Sequence, residues 1–133
     1  MDVSSKGRLI LVRHGESEGN RDRKFTQHDD VALTDSGREQ ASAAGEKIAR
    51  LFLPTRIFAS PYARARHTAE IIGEVVRLPV ETEPELREQG FGVFAGQPYE
   101  SLLSDAAYHD GPRWSWRPAE GESLIDVYDR AVP

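Results

Sequence analysis

Arg13-His14-Gly15-Glu16 stands directly after the apolar run Leu9-Ile10-Leu11-Val12. A cation and an imidazole at the end of a strand-like run sit where open α/β sheets bind ligands. Imidazole can act there as a nucleophile, an acid or a base. Two later charged residues hold similar positions. Arg64 falls in the first turn of a helix expected after Arg56-Ile57-Phe58-Ala59, and Glu88 follows the weaker run Val80 to Leu86. In a parallel sheet such positions converge on one edge. The set would then be two arginines, a histidine and a carboxylate around one pocket.

That set suits phosphoryl transfer. Guanidinium groups bind phosphate oxygens in pairs and stay charged. Arg64 would also sit where free N–H groups and the helix dipole favour an anion. His14 could attack phosphorus and form a phosphohistidine. A bound dianion disfavours a second negative charge beside it, so Glu88 would hold a proton and could pass it to the leaving alkoxide. Taken singly, each residue also has an ordinary reading. A histidine before glycine can be a loop residue, and an arginine in a first turn is often solvated or ion-paired. Glu88 beside Arg87 can be an exposed charge.

The elements that must position these residues are legible as patterns. Residues 8–12 read as a buried strand. Gly15 and Gly19 loosen the turn that follows, and residues 20–33 read mainly as loop. A helix begins near Thr34 or Ser36, with Ser36 and Glu39 at capping-box spacing. Ala41, Ala44, Ile48 and Leu51 fall on one face, and Pro54 ends the helix. Residues 56–59 read as a second strand. Ser60-Pro61 reads as a helix start, with Ser60 as N-cap and Pro61 in the first helical position. Ala65, Ala69, Ile72 and Val76 line that helix. Residues 80–86 read as an edge strand containing Pro84. Residues 101–108 read as a short helix. Leu124, Val127, Tyr128 and Ala131 give a final helical stripe. Strand, helix, strand, helix, strand implies an α/β fold, three-layer α/β/α, with a mostly parallel sheet.

Composition narrows the alternatives. At 133 residues the chain is read as one domain, residues 1–133. A net charge of −5 argues against nucleic acid as partner. A local arginine cluster can still hold a small anion. With no cysteine, thiol chemistry and thiolate metal sites are excluded. No run approaches the roughly 20 apolar residues of a membrane span. Residues 1–6 precede a strand and carry no signal-peptide apolar region, so a cytoplasmic location is expected. Gly15-Glu16-Ser17-Glu18-Gly19 is not G-x-G-x-x-G, which disfavours dinucleotide binding.

Leu11-Val12-Arg13-His14-Gly15-Glu16-Ser17 resembles the signature of the histidine phosphatase superfamily, the phosphoglycerate mutase-like proteins. Leu33 to Ala41, Ser60 to Ala69, Leu86 to Gly92 and Gly121-Glu122-Ser123 resemble further motifs of that family, in order. The resemblance spans about residues 8–133. It implies that His14 is the phosphorylated nucleophile. Arg13 and Arg64 would hold the phosphate, and Glu88 would be the proton donor. Asn20 and Thr26 match positions that line the substrate pocket. No metal or organic cofactor is implied, and the expected partner is a small phosphorylated substrate.

The family also carries a second histidine, followed by glycine, after a later strand. His28, His67 and His109 do not fit that pattern. The matching position would lie beyond Pro133, and the last helical stripe reaches Ala131 without a Gly or Asn cap. The fold is therefore expected to be incomplete on its C-terminal side, with an open sheet edge. A second copy covering that edge would give a homodimer. Slow phosphatase activity is the leading expectation. Mutase-type transfer is second, disfavoured because the family's mutases carry a longer, basic insertion there, whereas only 21 residues, with Arg113 and Arg117 as their only Lys or Arg, separate Gly96 from Pro118. A phosphate-binding or interaction module is third, with Trp114, Trp116 and Tyr108 as a candidate patch. Substrate preference is expected in residues 20–30 and 91–117.

Overall fold

A computed structural model describes residues 7–26 and 30–132. His28 and the N-terminal residues 1–6 lie outside this set. The described elements are α1 (Glu18–Arg21), α2 (Asp35–Leu51), β1 (Ile57–Ala59), α3 (Ala63–Val76), β2 (Val80–Thr82), α4 (Ala106–Asp110) and α5 (Leu124–Ala131). Short 3-10 helices span Pro84–Leu86, Gly92–Phe94 and Tyr99–Ser104.

The centre is a β-α-β unit. β1 and β2 pair in parallel, with Ile57 opposite Val80 and Ala59 opposite Thr82, and α3 connects them. Helix α2 packs along α3. A Cβ on Gly45 would press on Val75 and on the Ile72 backbone, so the two helices meet closely there. Ala41 and Ile48 of α2, Ala69 and Ile72 of α3, and Ala59 of β1 form the buried apolar core. Burial of one such isoleucine contributes roughly 1.5–3 kcal/mol.

Several expectations need correction. Residues 8–12 are not a strand: no ladder pairs them among the described residues, and Leu9 and Leu11 are 83% and 85% exposed. An apolar run becomes a buried strand only when neighbours supply ladder bonds and cover its faces, and the described sheet has two strands. The third expected strand stops at Thr82. Pro84 instead begins a 3-10 helix, because it cannot donate to a ladder. The cap of α2 is Thr34, whose hydroxyl accepts from the Gly37 amide, not Ser36. Helix α3 starts two residues later than expected: Ser60 Oγ accepts from the Tyr62 amide in a local turn, and Ala63 is the first helical residue. On α2, Gly37 and Gly45 join Ala41 and Ile48 as buried positions, whereas Leu51 is exposed.

The loop expected over 20–33 contains the end of α1. Ser17 caps that helix in a reciprocal box with Asn20. The region 99–110 divides into a 3-10 turn and α4, with Asp105 capping the latter. Helix α5 has its own capping box, Ser123 with Asp126. Trp116 is buried against Phe94 and Tyr108, while Trp114 is exposed, so the two tryptophans do not form one patch.

Candidate functional site

The His14 segment is fastened to both long helices. The Gly15 amide donates to Thr68 Oγ1 at 3.0 Å, and that hydroxyl donates to the Arg64 carbonyl at 2.7 Å. One side chain of α3 thus joins the loop bearing His14 to the turn bearing Arg64. The Glu16 amide donates to Gln40 Oε1 on α2 at 2.9 Å, and the Thr34 amide donates to the Glu16 carbonyl at 2.9 Å. Here the two backbones touch. A Cβ on Gly15 would overlap the Gly37 carbonyl, and one on Gly37 would overlap the Glu16 carbonyl. The contact requires glycine on both sides.

His14 is half-buried, with Nδ1 2.7 Å from the Gly15 carbonyl. A carbonyl only accepts, so Nδ1 carries the hydrogen and Nε2 keeps a free lone pair. Burial holds the imidazole below its ordinary pKa. The Gly15 bond opposes this, the positive charges of Arg64 and Arg13 add to it, and Glu88 opposes it. Those three side chains therefore act on one imidazole, whose neutral form is favoured.

Arg64 is the second residue of α3 and is 4% exposed. Its guanidinium lies 5.2 Å from the Tyr62 ring centroid, and its buried Nη1 has no hydrogen-bond partner. A buried cation with an unsatisfied donor is costly unless an anion completes it. Arg13 is exposed. Glu88 is exposed as well, with Oε1 accepting from the Gln89 amide at 2.9 Å.

Asn20 and Thr26 have structural partners. Asn20 Oδ1 accepts from the Ser17 amide and hydroxyl, and Nδ2 donates to the Tyr99 hydroxyl at 3.4 Å. Thr26 lies where a Cβ on Gly19 would meet its methyl. The surrounding wall is aromatic: Phe25 contacts Phe91, Phe94 and Tyr99. The Phe25 amide donates to the Gln97 carbonyl and the Gly96 amide to the Phe25 carbonyl, zipping residues 24–25 to residues 96–98. The two segments expected to set substrate preference are thus joined at these residues.

His109 Nε2 lies 3.0 Å from the Leu103 carbonyl, and His67 lies one turn beyond Arg64 with Nδ1 buried and unpartnered. Two surface grooves elsewhere, one along Arg8, Ile10 and residues 49–54 and one along residues 73–80, contain none of Arg13, His14, Arg64 and Glu88. Among the described residues, no three His, Cys, Asp or Glu cluster as a metal site, and no helix is long and apolar enough to cross a membrane. Thr68, Gln40 and Tyr62 were not anticipated. The spacing of Thr68, four residues after Arg64, was the available signal.

The chain belongs to the histidine phosphatase superfamily (branch 1), whose family model matches residues 9–133. It is 37% identical over 131 residues to a glucosyl-3-phosphoglycerate phosphatase of Mycolicibacterium vanbaalenii, covering 95% of this chain and 57% of that protein. It is 36% identical over 130 residues to phosphoglycerate mutase-like protein 4 of Arabidopsis thaliana, covering 93% and 56%. The structure of a mycobacterial glucosyl-3-phosphoglycerate phosphatase complexed with VO3 superposes with a TM-score of 0.79 at 31% identity, covering 89% of this chain and 60% of that one. The chain spans somewhat more than half the length of these relatives.

Proposed function

We propose that this chain hydrolyses small phosphomonoesters through a phosphohistidine at His14. The observation that carries the reading is the buried Arg64 guanidinium, its Nη1 unpartnered, whose charge acts on a neutral His14. Arg64 and Arg13 hold the non-bridging oxygens. His14 Nε2 attacks phosphorus as the ester P–O bond breaks, and Glu88 gives its proton to the leaving oxygen. Water then attacks the phosphohistidine, Glu88 takes back a proton, and inorganic phosphate leaves. Positioning and charge dispersal do most of the work in such transfers.

A relative solved in complex with VO3, a vanadium oxyanion, supports an oxyanion as ligand. The test is hydrolysis of a chromogenic phosphate ester by the chain and by His14→Ala. Activity abolished by the substitution, with an acid-labile phosphoryl label on His14, is the expected result. Equal turnover in both proteins would refute the reading.

The likeness to a mutase-like protein favours phosphoryl transfer to a second hydroxyl as the alternative. Phosphate kept on a bound acceptor, instead of released, would select it. Binding of phosphate without turnover would select the third reading, a binding module.

A further inference from the structure

Helix α5 reaches across to the loop that carries Glu88. Arg130 is the agent. Its Nε and Nη2 donate to Glu122 Oε1 and Oε2 at 3.0 and 3.1 Å, a two-pronged pair. Nη1 donates to the Glu85 carbonyl at 2.6 Å, and Nη2 to the Arg87 and Glu88 carbonyls at 2.9 and 3.2 Å. The Arg130 side chain is only 11% exposed. Glu122 binds the same loop from its other end. Its Oε2 accepts from the Gly90 amide at 2.9 Å, its amide donates to the Gly90 carbonyl at 2.8 Å, and its carbonyl accepts from Gln89 Nε2 at 2.7 Å. Arg87 adds an ion pair to Glu122 at 3.5 Å.

Residues 85–90 are therefore fixed by two side chains, Glu122 and Arg130, that follow them by more than thirty positions, while the Glu88 side chain makes one local bond, to its neighbour's amide. An exposed side chain so lightly held is placed by its backbone. We propose that Arg130 and Glu122 are positioning residues for Glu88, clamping its loop so that the carboxyl faces the leaving oxygen at His14. The inference rests on the reading of Glu88 as the proton donor. The clamp carries no charge to the substrate; it sets where the proton is delivered. A displacement of about 1 Å at such a group can cost roughly a hundredfold in rate.

The test uses two esters. An alkyl phosphate needs its leaving oxygen protonated, whereas a nitrophenyl phosphate leaves without help. Glu88→Gln should lower kcat on the alkyl ester by about a hundredfold or more and on the nitrophenyl ester far less. Arg130→Gln should reproduce that selective loss, at least about tenfold on the alkyl ester, with Arg130→Lys intermediate because it keeps the charge without the fork. The double variant should be no worse than Glu88→Gln. A uniform loss on both esters would make Arg130 merely structural and overturn the inference. If Glu88→Gln shows no selectivity, the proton-donor reading falls first.

A second readout needs no turnover. The Gln89 amide is bonded to the Glu88 carboxylate and the Gly90 amide to Glu122, so both should exchange slowly with solvent deuterium. In Arg130→Gln their exchange should quicken by about tenfold or more while amides of α2 and α3 keep their rates. Unchanged exchange at both would overturn the inference even in a chain that hydrolyses neither ester.

Discussion

The Thr68 hydroxyl accepts the Gly15 amide and donates to the Arg64 carbonyl, so the residue after His14 and the residue proposed to bind phosphate are joined through one oxygen. Thr68→Val keeps the shape and removes both bonds. The buried Gly15 amide would then lack a partner, at a cost of about 1–3 kcal/mol. Urea unfolding should show that loss, and Thr68→Ser should recover most of it. Phosphate affinity should fall in Thr68→Val beyond what stability explains, because His14 is no longer tied to Arg64. Unchanged affinity would make the bridge a packing detail.

Gly37→Ala tests the contact between the cap of α2 and the His14 loop. The added methyl would overlap the Glu16 carbonyl, which is backbone and cannot swing aside. Overpacking of this kind costs about 1–3 kcal/mol or more. Alanine elsewhere on α2 favours the helix, so a control such as Ser42→Ala should be neutral or stabilising. A Gly37→Ala chain with an undiminished melting temperature would show that the loop yields.

These two contacts mark what the sequence could and could not reveal. Arg64 in a first turn and Thr34 near a helix start follow from local rules, since caps and turns involve residues three or four apart. The choice of Thr34 over Ser36 does not, because it was settled by the Glu16 carbonyl and carboxylate, to which Thr34 also binds. The run 9–12 shows the opposite failure. Its residue types are those of a buried strand, but burial depends on which neighbours cover it, and none of that is local. Ser17 and Asn20 form a reciprocal cap at local spacing, but inside a polar stretch with no apolar stripe to mark a helix. The clamp from Arg130 to Glu85, Arg87 and Glu88 crosses more than forty positions and leaves no local trace.

The protonation of His14 gives a pH prediction with a fixed sign. Burial and the two arginines hold the folded imidazole below its ordinary pKa. Between the folded and the unfolded values, the unfolded chain binds more protons. Stability therefore rises with pH through that window and is lost as pH falls through it. An NMR titration of the His14 ring should give a midpoint below the ordinary histidine value. Arg64→Met, which removes one of the nearby charges, should move the midpoint upward. A His14 midpoint at or above the ordinary value would remove the case for a neutral nucleophile at mildly acidic pH.

Arg64→Met also separates binding from folding. In the free chain the Arg64 guanidinium is buried beside Tyr62 with Nη1 unpartnered, so its charge is a burden until an anion arrives. Replacing a buried, uncompensated ion with an apolar side chain of similar length is often neutral or stabilising. Without ligand, Arg64→Met should melt at or above the temperature of the unsubstituted chain. With phosphate or vanadate the order should reverse. Ligand at a hundred times its Kd adds about 2.7 kcal/mol to the chain that binds it, and nothing to one that does not. A ligand-free loss of more than about 3 kcal/mol would show instead that Arg64 supports the fold, since that is the cost of breaking a buried charge pair that was already satisfied.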